Sequence, residues 1–428
     1  MPRMLLPVSP LVLLTVAWVI TIAVAVLPFL DPERFDIALL MLAREQMTVE
    51  DFTWKGASWL ILAYLVFAMA TFLTRIALPQ PGPFRGRGDI NRAARVAFAT
   101  NLVFLGVTLL WVYLTARQVG GIRALIVLVQ LDALEARETL LNNKLFKGMR
   151  VIYASLPATG TIAATLLAVG ARNGNLGKTE RLLCLLTFGF NLVVLILLPI
   201  VMSQRLLLLQ LIMAAYFSTC MVHRRLVGLQ YLPIGFALFM TSWIGREAIT
   251  NASIQASALE IGFEKLVFYF SNDLLNSFMP FNREFEHTHG YFSFKFAMFF
   301  TQTEDYFRVL LADSLSQIDN IRGGGEWSVF TTPYVDFGAV GAALYIAGLA
   351  IISRIAFHKG FESVTGAAIY GQFAGAYALS THSMYFAQTN FVAMIIVLVF
   401  VGSFAKERRG APGLPEQPPS RSDTPVFS

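Results

Sequence analysis

The sequence predicts an all-α fold: a polytopic transmembrane helical bundle of about ten spans with a large late loop of short helices on the non-cytoplasmic side. Three observations carry this. Of 428 residues, 56% are hydrophobic and only 14% are charged, against roughly a quarter charged in ordinary soluble domains. Mean hydropathy is +0.61, an excess that a soluble interior of this size has no room to hide. The apolar residues also gather into runs close to the ~20 residues that cross a ~30 Å hydrocarbon core.

The runs are Val8–Leu30, Ala57–Leu78, Ala93–Val119, Val151–Gly170 and Arg181–Met202, then Leu206–Val222, Leu226–Gly245, Thr331–Phe357, Val364–Ser380 and Phe386–Phe404. The first ends near Ala23-Val24-Ala25, which mimics a signal-peptide cleavage site. Its length and the nine runs that follow make it a retained anchor. The boundary between the fifth and sixth runs rests on Met202-Ser203-Gln204-Arg205 alone. Residues 1–409 form one transmembrane domain, and the Pro- and Ser-rich tail 410–428 has the composition of a disordered segment.

Orientation follows from the Lys and Arg beside short loops. Arg75, Arg85, Arg87, Arg92 and Arg95 lie between runs two and three; Arg172, Lys178 and Arg181 follow run four; Arg224 and Arg225 follow run six. Arg354 and Lys359 follow run eight, and Lys406, Arg408 and Arg409 follow run ten. With ten spans all of them share one face, which is cytoplasmic, together with both termini. The net charge of +6 therefore reads as membrane orientation and not as nucleic-acid binding.

The other face holds loops near 31–56, 120–150 and 246–330. The first is acidic and partly helical. The second opens with Ile122–Leu131, too short to span and suited to an interfacial or re-entrant helix, although Asp132 falls on its apolar side. The third, about 85 residues, is too polar to span and too rich in Phe and Leu for disorder, which fits a structured cap. Cys184 and Cys220 both sit in apolar runs as small core residues and suggest neither a disulfide framework nor a metal site.

Arginine is selected against beside spans on the non-cytoplasmic side, yet Arg123, Arg137, Arg205, Arg246, Arg283, Arg308 and Arg322 fall there. A guanidinium fork matches phosphate oxygens and stays charged at any relevant pH, so the group suggests an anionic ligand at the outer leaflet. Local pairing is the plainer reading for Arg246 beside Glu247 and Arg283 beside Glu284; Arg205 has no acidic neighbour. In Arg283-Glu-Phe-Glu-His-Thr-His-Gly290, His287 and His289 lack a third ligand at a metal-site spacing. A single His as general base fits better, and a plain loop histidine fits equally well. Asp336 lies one turn inside the eighth run, where an acid normally faces the bundle interior with a partner. The Gly323–Gly325 triplet suits backbone approach to a ligand or a hinge. Gly338, Gly341, Ala367, Gly371 and Gly375 suggest close helix packing.

Thr331-Thr-Pro-Tyr-Val-Asp-Phe-Gly-Ala-Val-Gly341 resembles the tyrosine-x-aspartate-phenylalanine-glycine signature of Wzy-type oligosaccharide repeat unit polymerases, the enzymes of O-antigen, capsule and exopolysaccharide assembly. Gln118–Gln130 with its Gly-Gly pair, the Ser203–Arg205 turn before an apolar run, and His287–Phe294 resemble further family segments. The resemblance implies a multi-pass protein of the bacterial inner membrane. Such enzymes move a glycan from undecaprenyl pyrophosphate to a lipid-linked repeat unit at the outer face, with no metal or other cofactor. A chain-length regulator and a flippase are its further expected partners. On this reading Arg205, Arg246, Arg322 and Arg283 grip the diphosphate, and His289 or Asp336 serves or orients the base. The nearest rival is an O-antigen ligase-like transferase. A transporter or flippase of lipid-linked glycans would show mirrored halves and midplane charges, and neither is visible.

Overall fold

The structure is a computed structural model that describes residues 7–82, 84, 89–131, 133–144, 146, 148–199, 206–250, 257–319 and 326–405; of residues 133–134, 232, 246–250 and 258 it describes the backbone alone. Every apolar run coincides with a helix. The helices are α1 (Pro10–Ala25), α2 (Trp54–Ala77), α3 (Ile90–Gln118), α4 (Met149–Asn173), α5 (Lys178–Leu197), α6 (Leu206–His223) and α7 (Leu232–Thr250). After α8 (Ala258–Asn276) come α9 (Thr331–Gly360), α10 (Val364–Ala378) and α11 (Thr389–Ser403). Among the described residues no strand forms. Among the described residues seven helices are long and apolar enough to cross a membrane: α1 with its continuation to Leu30, α2 to α6, and α9. The tail 410–428 lies outside the described residues.

Local chemistry sets the helix starts. Thr53 caps α2 by accepting the Gly56 N–H, Asp89 caps α3 through the Arg92 N–H at 2.9 Å, and Ser363 caps α10 through the Gly366 N–H. Each satisfies a donor that the first helical turn leaves without an intrahelical partner.

The outward faces are apolar, as a hydrocarbon environment favours. Leu65 and Phe72 on α2 are 57% and 56% exposed, and Val103 on α3 and Val193 on α5 are similarly bare. Polar side chains turn inward instead. The Gln210 amide on α6 donates to Gln372 Oε1 on α10 at 3.3 Å, and Gln372 donates to Thr161 Oγ1 on α4 at 2.9 Å. A parallel chain runs from Asn191 on α5 to Thr159 on α4 at 2.9 Å, and from Thr159 to Asn101 on α3 at 2.7 Å. Such bonds tie helices together where lipid supplies no hydrophobic drive for association.

The predicted small-residue contact holds at Gly371, where a Cβ would stand 2.4 Å from the Ala214 carbonyl oxygen of α6. Gly338 and Gly341 do something else. The nearest neighbours of a Cβ at Gly341 belong to Phe337 of the same helix. Gly338 has φ 67° and ψ −174°, a break inside α9, in a region that L side chains rarely enter.

The 246–330 segment is helical, but it is not made of short helices alone. Its first helix, α8, has 19 residues and packs against α1 and the Asp36–Arg44 helix of the first loop. Residues 271–280 are buried without interruption. The short helices Lys295–Thr301, Glu304–Leu310 and Ala312–Asp319 follow. Ile122–Leu131 is a helix as expected, with Leu125 and Val129 buried and Ile122, Ile126 and Leu131 bare.

Candidate functional site

The break at Gly338 shapes the end of the bundle from which the 120–150 and 246–330 segments project. The Val335 and Asp336 carbonyls, just before the break, accept bonds from the 287–289 segment. The Thr288 N–H reaches Val335 O at 3.3 Å and the His289 N–H reaches Asp336 O at 2.9 Å, while His287 Nδ1 lies 3.1 Å from Val335 O. The Asp336 side chain is fully buried. Its carboxylate accepts the Thr288 hydroxyl and the backbone N–H groups of Phe292, at 3.1 Å, and Ser293. An acid at this depth needs a partner, and the partners are hydroxyl and backbone donors rather than an arginine. Asp336 is thus the pin that holds segment 287–293 against the start of α9.

Two cavities lie on either side of this pinned wall. The first encloses about 500 Å³ and is lined by Arg137, Lys144, Arg150, Lys295, Glu304 and Glu326 with Phe292, Trp327, Thr332, Ser383, Gln388 and Asn390. Among these described residues basic side chains outnumber acidic ones by four to two, so the cavity is cationic. The basic groups come from three places: the Ala133–Asn142 helix and the stretch after it, the start of α4, and the Lys295–Thr301 helix. The Ser383 hydroxyl and the Gln388 amide, the latter at 3.0 Å, donate to Glu326 Oε2 and fix the direction of that carboxylate.

Behind Ser383 stands a pair that the sequence reading passes over. His382 Nδ1 lies 2.9 Å and 3.0 Å from the two oxygens of Asp273, on α8. The Asp273 side chain is 6% exposed and that of His382 25%. Burial pushes the Asp273 carboxyl up, against the nearby imidazole. Burial opposes charge on His382 too, but the charge and hydrogen bond of Asp273, with Glu326 beyond, outweigh it and raise the imidazole above its ordinary value. The signal that could have found the pair is a histidine in the short α10–α11 connection, with Ser271-Asn272-Asp273 polar inside an apolar stretch.

The second cavity, about 640 Å³, is lined by Trp54, Lys55, Ser58, Trp59, Pro280, Phe281, Arg283, Glu284, Phe285, His287 and Tyr334. The predicted residues therefore scatter. Arg283 belongs to this second cavity and not to the cationic one. His289 has an exposed side chain on a positive-φ backbone (φ 50°) and lines neither. Arg205 and Arg322 lie outside the described residues. Arg246 lies within α7, with its side chain outside them. Among the described residues no group of three or more His, Cys, Asp or Glu is placed to hold a metal. Cys184 and Cys220 are free and buried.

No protein-family model matches the chain, and neither a curated protein nor a solved structure does.

Proposed function

We propose that the chain is a glycosyltransferase of the lipid-linked oligosaccharide polymerase type. It would work at the outer face of the bacterial inner membrane, with both termini in the cytoplasm. It moves a glycan from undecaprenyl pyrophosphate onto a lipid-linked repeat unit. The observation that carries this reading is the cationic cavity, with Arg137, Lys144, Arg150 and Lys295 on its wall, at the end of the bundle that the charge distribution assigns to the outside. Asp336, of the element that carries the family resemblance, accepts the N–H of Phe292, which lines that cavity.

The chemistry asks two things of the protein. The acceptor hydroxyl attacks the anomeric carbon, the bond from that carbon to the diphosphate oxygen breaks, and undecaprenyl diphosphate leaves with the electron pair. Guanidinium and ammonium groups stabilise that developing charge. A base takes the acceptor proton. Glu326 is suited to it, because it faces the cavity and is oriented by Ser383 and Gln388. Asp336 has its acceptor sites occupied by protein donors, so its part is to position the wall.

Replacing Arg150 by Ala and Glu326 by Gln, each in a strain lacking the native copy, tests this. Surface glycan is expected to collapse from a ladder of chain lengths to single repeats, with the protein still present in membranes. A normal ladder from both variants would falsify the proposal. Loss of even the single repeat would point to the ligase-like rival.

A further inference from the structure

We infer that the second cavity is a carbohydrate site that holds the glycan of the acceptor, a role resting on the transferase reading above. Its floor is aromatic and already assembled. The Tyr334 ring lies 4.4 Å from that of Phe281 and 5.1 Å from that of Trp59, centroid to centroid, and His287 meets Tyr334 edge-on at 6.0 Å. Trp59 is further fixed by its Nε1–H, which donates to the Phe330 carbonyl at 3.0 Å. Rings packed this way do not reorganise when a ligand arrives, so the entropy cost of binding is low.

The chemistry of the lining selects the ligand. A sugar ring has one or two faces of C–H groups and an edge of hydroxyls, and it is recognised by aromatic planes set beside charged or hydroxyl side chains. Trp54, 80% exposed at the rim, supplies a free plane. Lys55, Ser58 and Glu284 supply donors and an acceptor at the edge. A lipid tail would gain nothing from those three groups and would have to desolvate them. A diphosphate would find two cations here, Lys55 and Arg283, beside Glu284, whereas the first cavity offers four cations.

Placement agrees with chemistry. The two cavities share their wall. In segment 285–295, Phe285 and His287 face the aromatic cavity while Phe292 and Lys295 face the cationic one; in segment 327–334, Tyr334 faces the aromatic cavity and Thr332 the cationic one. An acceptor glycan in the aromatic cavity is thereby one wall's thickness from the donor, whose anomeric carbon its hydroxyl attacks as the diphosphate leaves.

Purified full-length protein in lipid nanodiscs provides the test. The probe is the dephosphorylated oligosaccharide released by mild acid from the cell's own lipid-linked pool, and binding is read by saturation-transfer NMR. Saturable binding is expected in the native protein and in Arg150→Ala, weakened at least tenfold in Trp54→Ala and in Glu284→Gln. Trp54 is exposed and Glu284 lies in a loop, so both variants should fold. No saturable binding, or equal binding by all four proteins, overturns the carbohydrate assignment and leaves the transferase reading to the glycan ladder. Quenching of Trp54 fluorescence by brominated phosphatidylcholine without any response to the oligosaccharide makes the residue a membrane anchor, and overturns the assignment as well.

Discussion

His382 and Asp273 meet across 109 positions of chain, imidazole Nδ1 to carboxylate at 2.9 Å. The pair joins the α10–α11 connection to α8 and stands directly behind the Ser383–Glu326 contact that faces the cationic cavity. Its protonation is linked to folding. Both groups bind protons more tightly in the folded protein, so the stabilisation they give is present at low pH and lost as pH rises. For His382 it is complete below the ordinary imidazole value of about 6.5 and declines as pH passes the higher folded value. The thermal midpoint of the detergent-solubilised protein should therefore fall between mildly acid and alkaline buffer. His382→Gln should flatten that slope and, by depriving a buried carboxylate of its partner, cost on the order of 1–3 kcal/mol at acid pH. An unchanged slope in the variant assigns the pH dependence elsewhere.

Asp336→Ala strands a buried hydroxyl, a buried backbone N–H and a part-buried one, a buried donor being worth about 1–3 kcal/mol when unpaired. The expected result is a clear loss of thermal stability together with loss of polymer. A carboxylate acting only in the chemical step would abolish polymer and leave the midpoint unmoved, which is the outcome that would overturn the positioning role.

Gly338→Ala puts a Cβ on a backbone with φ 67° and 2.9 Å from His287 Nε2. With ψ −174° this is a region essentially confined to glycine, costing an L-residue about 1–3 kcal/mol, and the contact adds to it. Reduced stability and a shortened glycan ladder should appear together, because the break and the 287–289 segment are one unit. Gly348→Ala, where no atom lies within 4 Å of the added carbon, is the matching control and should be neutral in both assays.

The basic residues of the cavity should rank by depth. Arg150 and Arg137 are partly buried, whereas Lys144 and Lys295 are exposed. A charge screened from water acts at lower dielectric and is felt more strongly. Single Ala substitutions should thus shorten the ladder more for Arg150 and Arg137, and the Lys144 and Lys295 effects should fade in higher salt. Four equal effects would argue against a defined pocket.

The membrane-facing half of the molecule is legible from sequence because its physics is one-dimensional. Twenty apolar residues in a row admit one solution in hydrocarbon, a helix, and each run falls on one. What escapes is what depends on distant partners. Asp336 stands out by its position, but the donors it accepts belong to residues 288–293, and nothing local distinguishes backbone amides from an arginine as its partner. Arg137 is visible as a guanidinium where ten spans and the positive-inside rule together would expect none. Lys144, Arg150 and Lys295 join it only through tertiary folding, and no spacing links them. α8 escapes for a related reason: Ser271, Asn272, Asp273 and Asn276 lower its hydropathy so that it reads as loop, yet all four are buried.

The glutamine rungs between α4, α6 and α10 restrict how this molecule can move. Sliding or rolling any of the three helices by one residue would break amide bonds at a depth where no water stands by to replace them. The inner bundle therefore behaves as a torsionally locked frame. On the transferase reading proposed above, the freedom needed to admit two bulky substrates and release a longer one has to reside in the cap above it.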